Sequence, residues 1–257
     1  MIALFREPWL LFVILVGLLS GAAAVGYRVA AATRINDIGH LHEQITGLRD
    51  GLFVLEGLLL GFTIAMVLPR FDHRRDLVVE EASAIRTTVL RADVLPEPQR
   101  GKTLELLRQY IAVRKDFANV GLINPVALAR NTERSIALQD ELWRQASAIA
   151  QQNQTVLMSS YMTSLNQMIG VSEEQLAYLE HRVPTEVWVI IIVVGAFQSF
   201  VAGYNLKQRF WLSMVITPVV VALVVTVIVD LDSPRSGFIH IEQNSMERLS
   251  NSVTGGR

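Results

Sequence analysis

One ionisable residue stands inside a long apolar run: Glu56, within the stretch from Leu52 to Leu68. A carboxyl group in such a run is costly unless it meets a cavity, an ion pathway or a partner, which makes it the first candidate for chemistry. Just past the run, Arg70, Arg74 and Arg75 precede Glu80 and Glu81. These charges read either as a solvated surface or as a buried structural network. His40 and His42 are two residues apart, which turns them away from each other on a helix, so they read as solvated histidines rather than metal ligands. Elsewhere Ser, His and acidic residues are scattered without a nucleophile elbow, a zinc-type spacing or a phosphate loop. The chain has no cysteine, which removes disulfides, thiolate metal sites and cysteine nucleophiles together. We expect no enzyme activity, no cofactor and no metal.

The elements that must position these residues follow from composition and pattern. Over 257 residues, 51% are hydrophobic and 18% charged, too apolar for an ordinary soluble domain and too charged to lie wholly in lipid. The net charge of −1 gives no basic surface for nucleic acid. A bilayer core needs roughly 20 apolar residues in a helix, and four runs approach this length. They are expected at about 9–32, 51–69, 185–204 and 210–230. Ala22-Ala23-Ala24 offers a rival reading of the first run as a cleaved signal, but the apolar character continues past it and Trp9 suits an interfacial anchor. Gly17 and Gly21, like Gly57 and Gly61, are small-xxx-small pairs that let another helix approach closely. Thr33 to Asp50 reads as a short amphipathic connector. Pro69-Arg70 is expected to stop or kink the second span, and Pro218 to kink the fourth.

Between spans two and three the sequence is helical throughout, without strand alternation. Leu77, Val78, Ala82, Ile85, Val89 and Leu95 form one stripe, closed by Leu95-Pro96-Glu97-Pro98. Leu104, Leu107, Ile111 and Phe117 form a second, broken at Gly121 and Asn124-Pro125. A third helix is expected from Pro125 to Gln152 with Ile136, Leu142, Trp143, Ala146 and Ile149 inward. A fourth is expected from about Gln154 to His181 through Val156, Leu157, Met162, Leu165, Met168, Leu176 and Leu179, with Gly170 as a joint. The fold class is therefore an all-α membrane protein. It divides into an N-terminal transmembrane pair (1–70), a cytosolic helical domain (71–183), a C-terminal transmembrane pair (184–231) and a tail (232–257).

Three stretches carry a family resemblance. They are Arg70-Phe71-Asp72-His73-Arg74-Arg75-Asp76-Leu77-Val78-Val79-Glu80-Glu81-Ala82-Ser83-Ala84-Ile85, Leu90-Arg91-Ala92-Asp93-Val94-Leu95-Pro96, and Leu231-Asp232-Ser233-Pro234-Arg235-Ser236-Gly237-Phe238-Ile239. With the four-span layout, the chain resembles the bestrophin-like family of bacterial membrane proteins. More distantly, Gly61-Phe62 followed by Arg70-Phe71 is similar to the second-span motif of the bestrophin channels. That resemblance implies a pentameric channel whose second helices line a narrow neck, at Val54, Leu58 and Phe62 in this chain. On a helical wheel these three fall within roughly an 80° stripe, flanked by Gly57 and Gly61, while Glu56 and Thr63 lie nearly opposite. Both faces cannot line one central pore. Either the apolar stripe forms the neck and Glu56 points into helix packing, protonated or paired; or Glu56 lines the pore as a cation-favouring ring; or, the span being short, Glu56 sits near an interface within reach of headgroups.

The expected function is that of an oligomeric ion channel conducting passively through this neck. The alternative is a membrane-anchored sensor or scaffold whose helical insert binds a protein. Partners are membrane lipid, further copies of the chain and inorganic ions. Four spans put both termini and the insert on one side. Arg6, Arg70, Arg74, Arg75, Arg182 and Arg235 flank that side, against Arg28, Arg34, Arg49, Lys207 and Arg209 on the other, so charge alone does not orient the chain. The insert is placed in the cytoplasm of a bacterium, with the spans in the inner membrane, because no signal for moving a domain of this size across the bilayer is visible.

Overall fold

The computed structural model describes residues 8–33, 39–119, 125–152, 154–180, 183–205, 211–233 and 244–254. Among them every regular element is helical: α1 (Pro8–Thr33), α2 (Gly39–Ala92), α3 (Gln99–Asn119), α4 (Pro125–Gln152), α5 (Val156–Glu180), α6 (Thr185–Tyr204), α7 (Trp211–Asp232) and α8 (Asn244–Thr254). Four of these, α1, α2, α6 and α7, are long and apolar enough to cross a membrane. The flanking cations Arg6, Arg34, Arg182, Lys207, Arg209 and Arg235 lie outside the described residues, as do Gly121 and the stretch from Pro234 to Ile239.

The sequence reading sets a connector before the second span and has the span feed straight into a soluble helix, stopped or kinked at Pro69-Arg70. The structure makes all three one helix. α2 takes in Pro69 without ending. A proline inside a helix removes one amide donor, leaving the carbonyl four residues back, here Ala65, without its helical partner. The rest of the ladder carries on, because the apolar stripe on either side is already committed to helix. α5 likewise runs through Gly170, since one glycine costs a helix only about 1 kcal/mol relative to alanine.

The chain forms two compact units, divided within α2 after Phe71. The apolar unit holds α1, the first part of α2, α6 and α7. Its core is Leu11 and Leu15 from α1, Leu60 and Val67 from α2, Trp188 and Ile191 from α6, and Ala222, Val225 and Ile228 from α7. Polar groups inside it are satisfied locally where they can be. The hydroxyls of Thr63 and Thr226 each donate to the carbonyl four residues back, Leu59 and Ala222, at 2.7 Å, which is how a hydroxyl is accommodated in a span. Ahead of α6, the Val183 N–H donates to both carboxylate oxygens of Asp232 at the end of α7, at 3.4 and 3.3 Å. Toward the other end of α6, Asn205 Nδ2 donates to Thr46 Oγ1 of α2 at 3.0 Å.

The second unit packs the rest of α2 with α3, α4, α5 and α8 around Ile85, Leu107, Tyr110, Ile111, Leu142, Ala146, Tyr161, Leu165 and Met168. The tail contributes to it, since Met246 and Leu249 of α8 are buried in the same cluster. Four expected inward positions are corrected here: Ile136, Trp143, Val156 and Leu157 are exposed. The buried line of α4 is instead Asn131, Ser135, Gln139, Leu142, Ala146 and Ile149. Half of it is polar because it covers the polar network described next, and Ile136 and Trp143 sit one position off that line.

Candidate functional site

α2 presents two contrasting faces in the apolar unit. On one, Glu56 is 2% exposed, and Leu60, Thr63 and Val67 continue the buried line at helical spacing. On the other, Val54 is 73%, Leu58 52% and Phe62 64% exposed within the single chain. The carboxylate is thus turned into the packing of its own chain. A Cβ built on Gly195 of α6 would stand 2.6 Å from Glu56 Oε1 and 3.5 Å from Leu19 Cδ2 of α1, so Glu56 fills a notch that a glycine leaves between α1 and α6. Neither Glu56 oxygen has a hydrogen-bond partner, and both amide atoms of Gln198 and the Ser20 hydroxyl are also buried without one.

Glycine-mediated contact inside the chain occurs at positions that sequence reasoning did not single out. A Cβ on Gly26 would overlap the Phe200 carbonyl, and one on Gly203 the backbone of Ala23. These two glycines let α1 and α6 come together backbone to backbone. Gly17, Gly21, Gly57 and Gly61 meet nothing within 4 Å in the single chain.

The charges after the second span separate by depth. Arg75 and Glu80 are exposed, Arg70 is half-buried, and Arg74 and Glu81 are buried. Glu81 accepts a hydrogen bond from Nε of Arg114 on α3, each side chain 3% exposed. Sequence reasoning missed Arg114. A second guanidinium nitrogen donates to Gln175 Oε1 of α5, and the Phe117 ring centroid lies 4.2 Å from the guanidinium carbon. Burial by itself lowers the Arg114 pKa, but the Glu81 carboxylate, through its charge and its hydrogen bond, acts together with Tyr110 to make the net direction upward. Next to it, Gln139 Nε2 donates to Tyr110 Oη at 3.0 Å and to Ser172 Oγ at 2.8 Å. Burial pushes the Tyr110 phenol upward. At the surface of the same unit His73 Nε2 lies 3.0 Å from Glu174 Oε1, and its ring is 4.4 Å from that of Tyr178.

A signal for Arg114 was present: it continues the line Leu107, Tyr110, Ile111 and Phe117, and a charge on an apolar stripe demands a partner. The network ties α2, α3, α4 and α5 together and fixes the start of the second unit.

With this geometry in place, the model of the bestrophin-like domain matches residues 12–246. The chain belongs to the bestrophin-like family. No curated protein matches its sequence. Among solved structures, a bacterial bestrophin homolog from Klebsiella pneumoniae superposes with a TM-score of 0.69 at 14% identity, covering 96% of this chain and 98% of that one. A point variant of that homolog gives 0.68 at 15%, covering 97% and 99%. At this identity the likeness establishes the fold, and it extends over both units of the bestrophin-like chain.

Proposed function

We propose that this bestrophin-like protein is a subunit of an oligomeric, pentameric ion channel in the bacterial inner membrane. Ions pass through a neck made by Val54, Leu58 and Phe62 of the α2 helices, and the helical insert and both termini are cytoplasmic. The observation that carries this reading is the division of α2. The acid is taken up by packing inside the chain, and Val54, Leu58 and Phe62 are the most exposed of the apolar side chains this span leaves uncovered, ahead of Phe53, Leu55, Ile64, Met66 and Leu68. Further copies would then assemble around the stripe of those three, with Gly57 and Gly61 at its margin and Gly17 and Gly21 of α1 available for helix contact. A hydrophobic constriction controls passage by its width and wetting, so no charge at the neck is required. The test is flux and symmetry together. Purified protein in liposomes should pass salt, Phe62→Ala should raise unitary conductance, and particles should show five-fold symmetry. A monomer that is silent in flux refutes the reading.

A second reading, a membrane-anchored sensor or scaffold, is favoured by one observation. A groove on the second unit is lined by Trp143, Val156, Met158, Met162 and Asn166, an uncovered apolar surface suited to a protein partner. It is preferred if the assembly has an axis plugged by packed side chains and no flux.

A further inference from the structure

Glu56 fills the notch at Gly195, and the α6 and α1 segments beside it carry further polar groups. Among the described residues the two Glu56 oxygens, the Gln198 amide and the Ser20 hydroxyl are buried without a hydrogen-bond partner. Gln198, fully buried, stands one turn along α6 from Gly195. Ser20 follows Leu19, the α1 residue beside the notch. Three helices thus carry unpaired oxygen-bearing groups at positions close to the notch in sequence.

Among the described residues no positive charge lies within a turn of the notch along the helices that form it. On α2 the nearest charged residues are Asp50 and Arg49, which pair with each other at 2.7 Å, and Arg70 lies beyond Pro69. Within α1 the titratable groups are Tyr27 and Arg28; within α6 they are Glu186, in its first turn, and Tyr204; within α7 they are Asp230 and Asp232 at its end. None is within a turn of Glu56, Gly195 or Ser20 along its own helix. A bare carboxylate here would forfeit several kcal/mol of hydration with nothing in return.

We propose that Glu56, with Gln198 and Ser20, forms a binding site for one small monovalent cation, a proton or a sodium ion, inside the packing of a single chain. The all-oxygen donor set is that of a hard cation, and one carboxylate matches one positive charge. The notch exists because residue 195 carries no side chain, which is what lets the Glu56 carboxyl group reach α6. The site lies on the face of α2 away from Val54, Leu58 and Phe62, and it stands whether or not the protein conducts.

The experiment is thermal unfolding of the full-length protein in detergent, from mildly acidic to alkaline pH, with sodium chloride or choline chloride, for the wild type and Glu56→Gln. A cation that binds only the folded state raises its midpoint. If the ligand is a proton, the wild-type midpoint falls by several degrees as pH rises, equally in sodium and choline. If it is sodium, sodium raises the wild-type midpoint over choline at alkaline pH. In either case Glu56→Gln, neutral and of the same shape, loses the dependence. Identical pH and sodium responses in the two proteins overturn the proposal. Should the variant fail to fold, infrared difference spectra of the wild type decide. A protonated carboxylic-acid band at neutral pH that is lost on alkalinisation or on adding sodium supports the site, and no change in that region under either treatment overturns it.

Discussion

Removing the Arg114 guanidinium tests whether the second unit is built around its buried ion pair. Arg114 and Glu81 are each 3% exposed, so Arg114→Met leaves an uncompensated carboxylate in the interior. Breaking a buried pair in this way costs about 3–5 kcal/mol, which for a chain of this size lowers the unfolding midpoint by about 6–20 °C. Glu81→Leu should cost a similar amount by stranding the cation. The double variant removes both charges, and its loss should shrink to about 1–3 kcal/mol, the cost of leaving the Gln175 oxygen without its donor. The assay is thermal unfolding of the full-length protein in detergent, followed by circular dichroism, for the four members of the cycle. Single variants that lose less than about 1 kcal/mol, or losses that simply add in the double, would show that the pair is solvated and the network incidental.

Gly26→Ala should destabilise the apolar unit by about 1–3 kcal/mol through overlap with the Phe200 carbonyl, while Gly17→Ala, with open space at its Cβ, should leave the midpoint unchanged or slightly raised. Gly61→Leu should fold as a monomer yet lose its assembly state by size-exclusion chromatography with light scattering. Burial pushes the Tyr161 phenol from 10.0 up to about 12; stability from this group is full below its unfolded value and is lost as pH rises through the folded one. Alkaline titration between these limits should therefore cost about 2–3 kcal/mol, and Tyr161→Phe should blunt that loss. Asp232→Ala strands the Val183 N–H ahead of α6 and should cost about 1–3 kcal/mol by the same thermal assay.

Local pattern revealed the four apolar helices and the all-helical character of the chain, because span length and helical period are properties of neighbouring residues. The partner of Glu81 was not legible, since Arg114 is 33 positions away and no period links two helices. Arg70, Arg74 and Arg75 drew attention by being close in sequence, whereas the pairing depends on which helices meet. In α4, apolar residues were expected inward, and Ser135 and Gln139 took those places because their neighbours are polar. Gln198 sits in an apolar run as conspicuously as Glu56 does, yet only three-dimensional packing shows that Glu56 reaches α6 at Gly195, one turn from it. The glycines divided similarly: spacing picks out small-xxx-small pairs, while Gly26, Gly195 and Gly203 matter through what lies across from each one.

The continuity of α2 has a consequence for how the sequence is free to change. In the second unit its buried positions run Arg74, Leu77, Val78, Glu81, Ala82, Ala84, Ile85, Thr88 and Ala92. One residue inserted after Arg74 would advance everything beyond it by about 100° and present Asp76 and Glu80 where Leu77 and Glu81 belong, whereas seven residues, close to two whole turns, would bring the phase back to within about 20°. The segment between Arg74 and Glu81 is bound less by the identity of its residues than by their number.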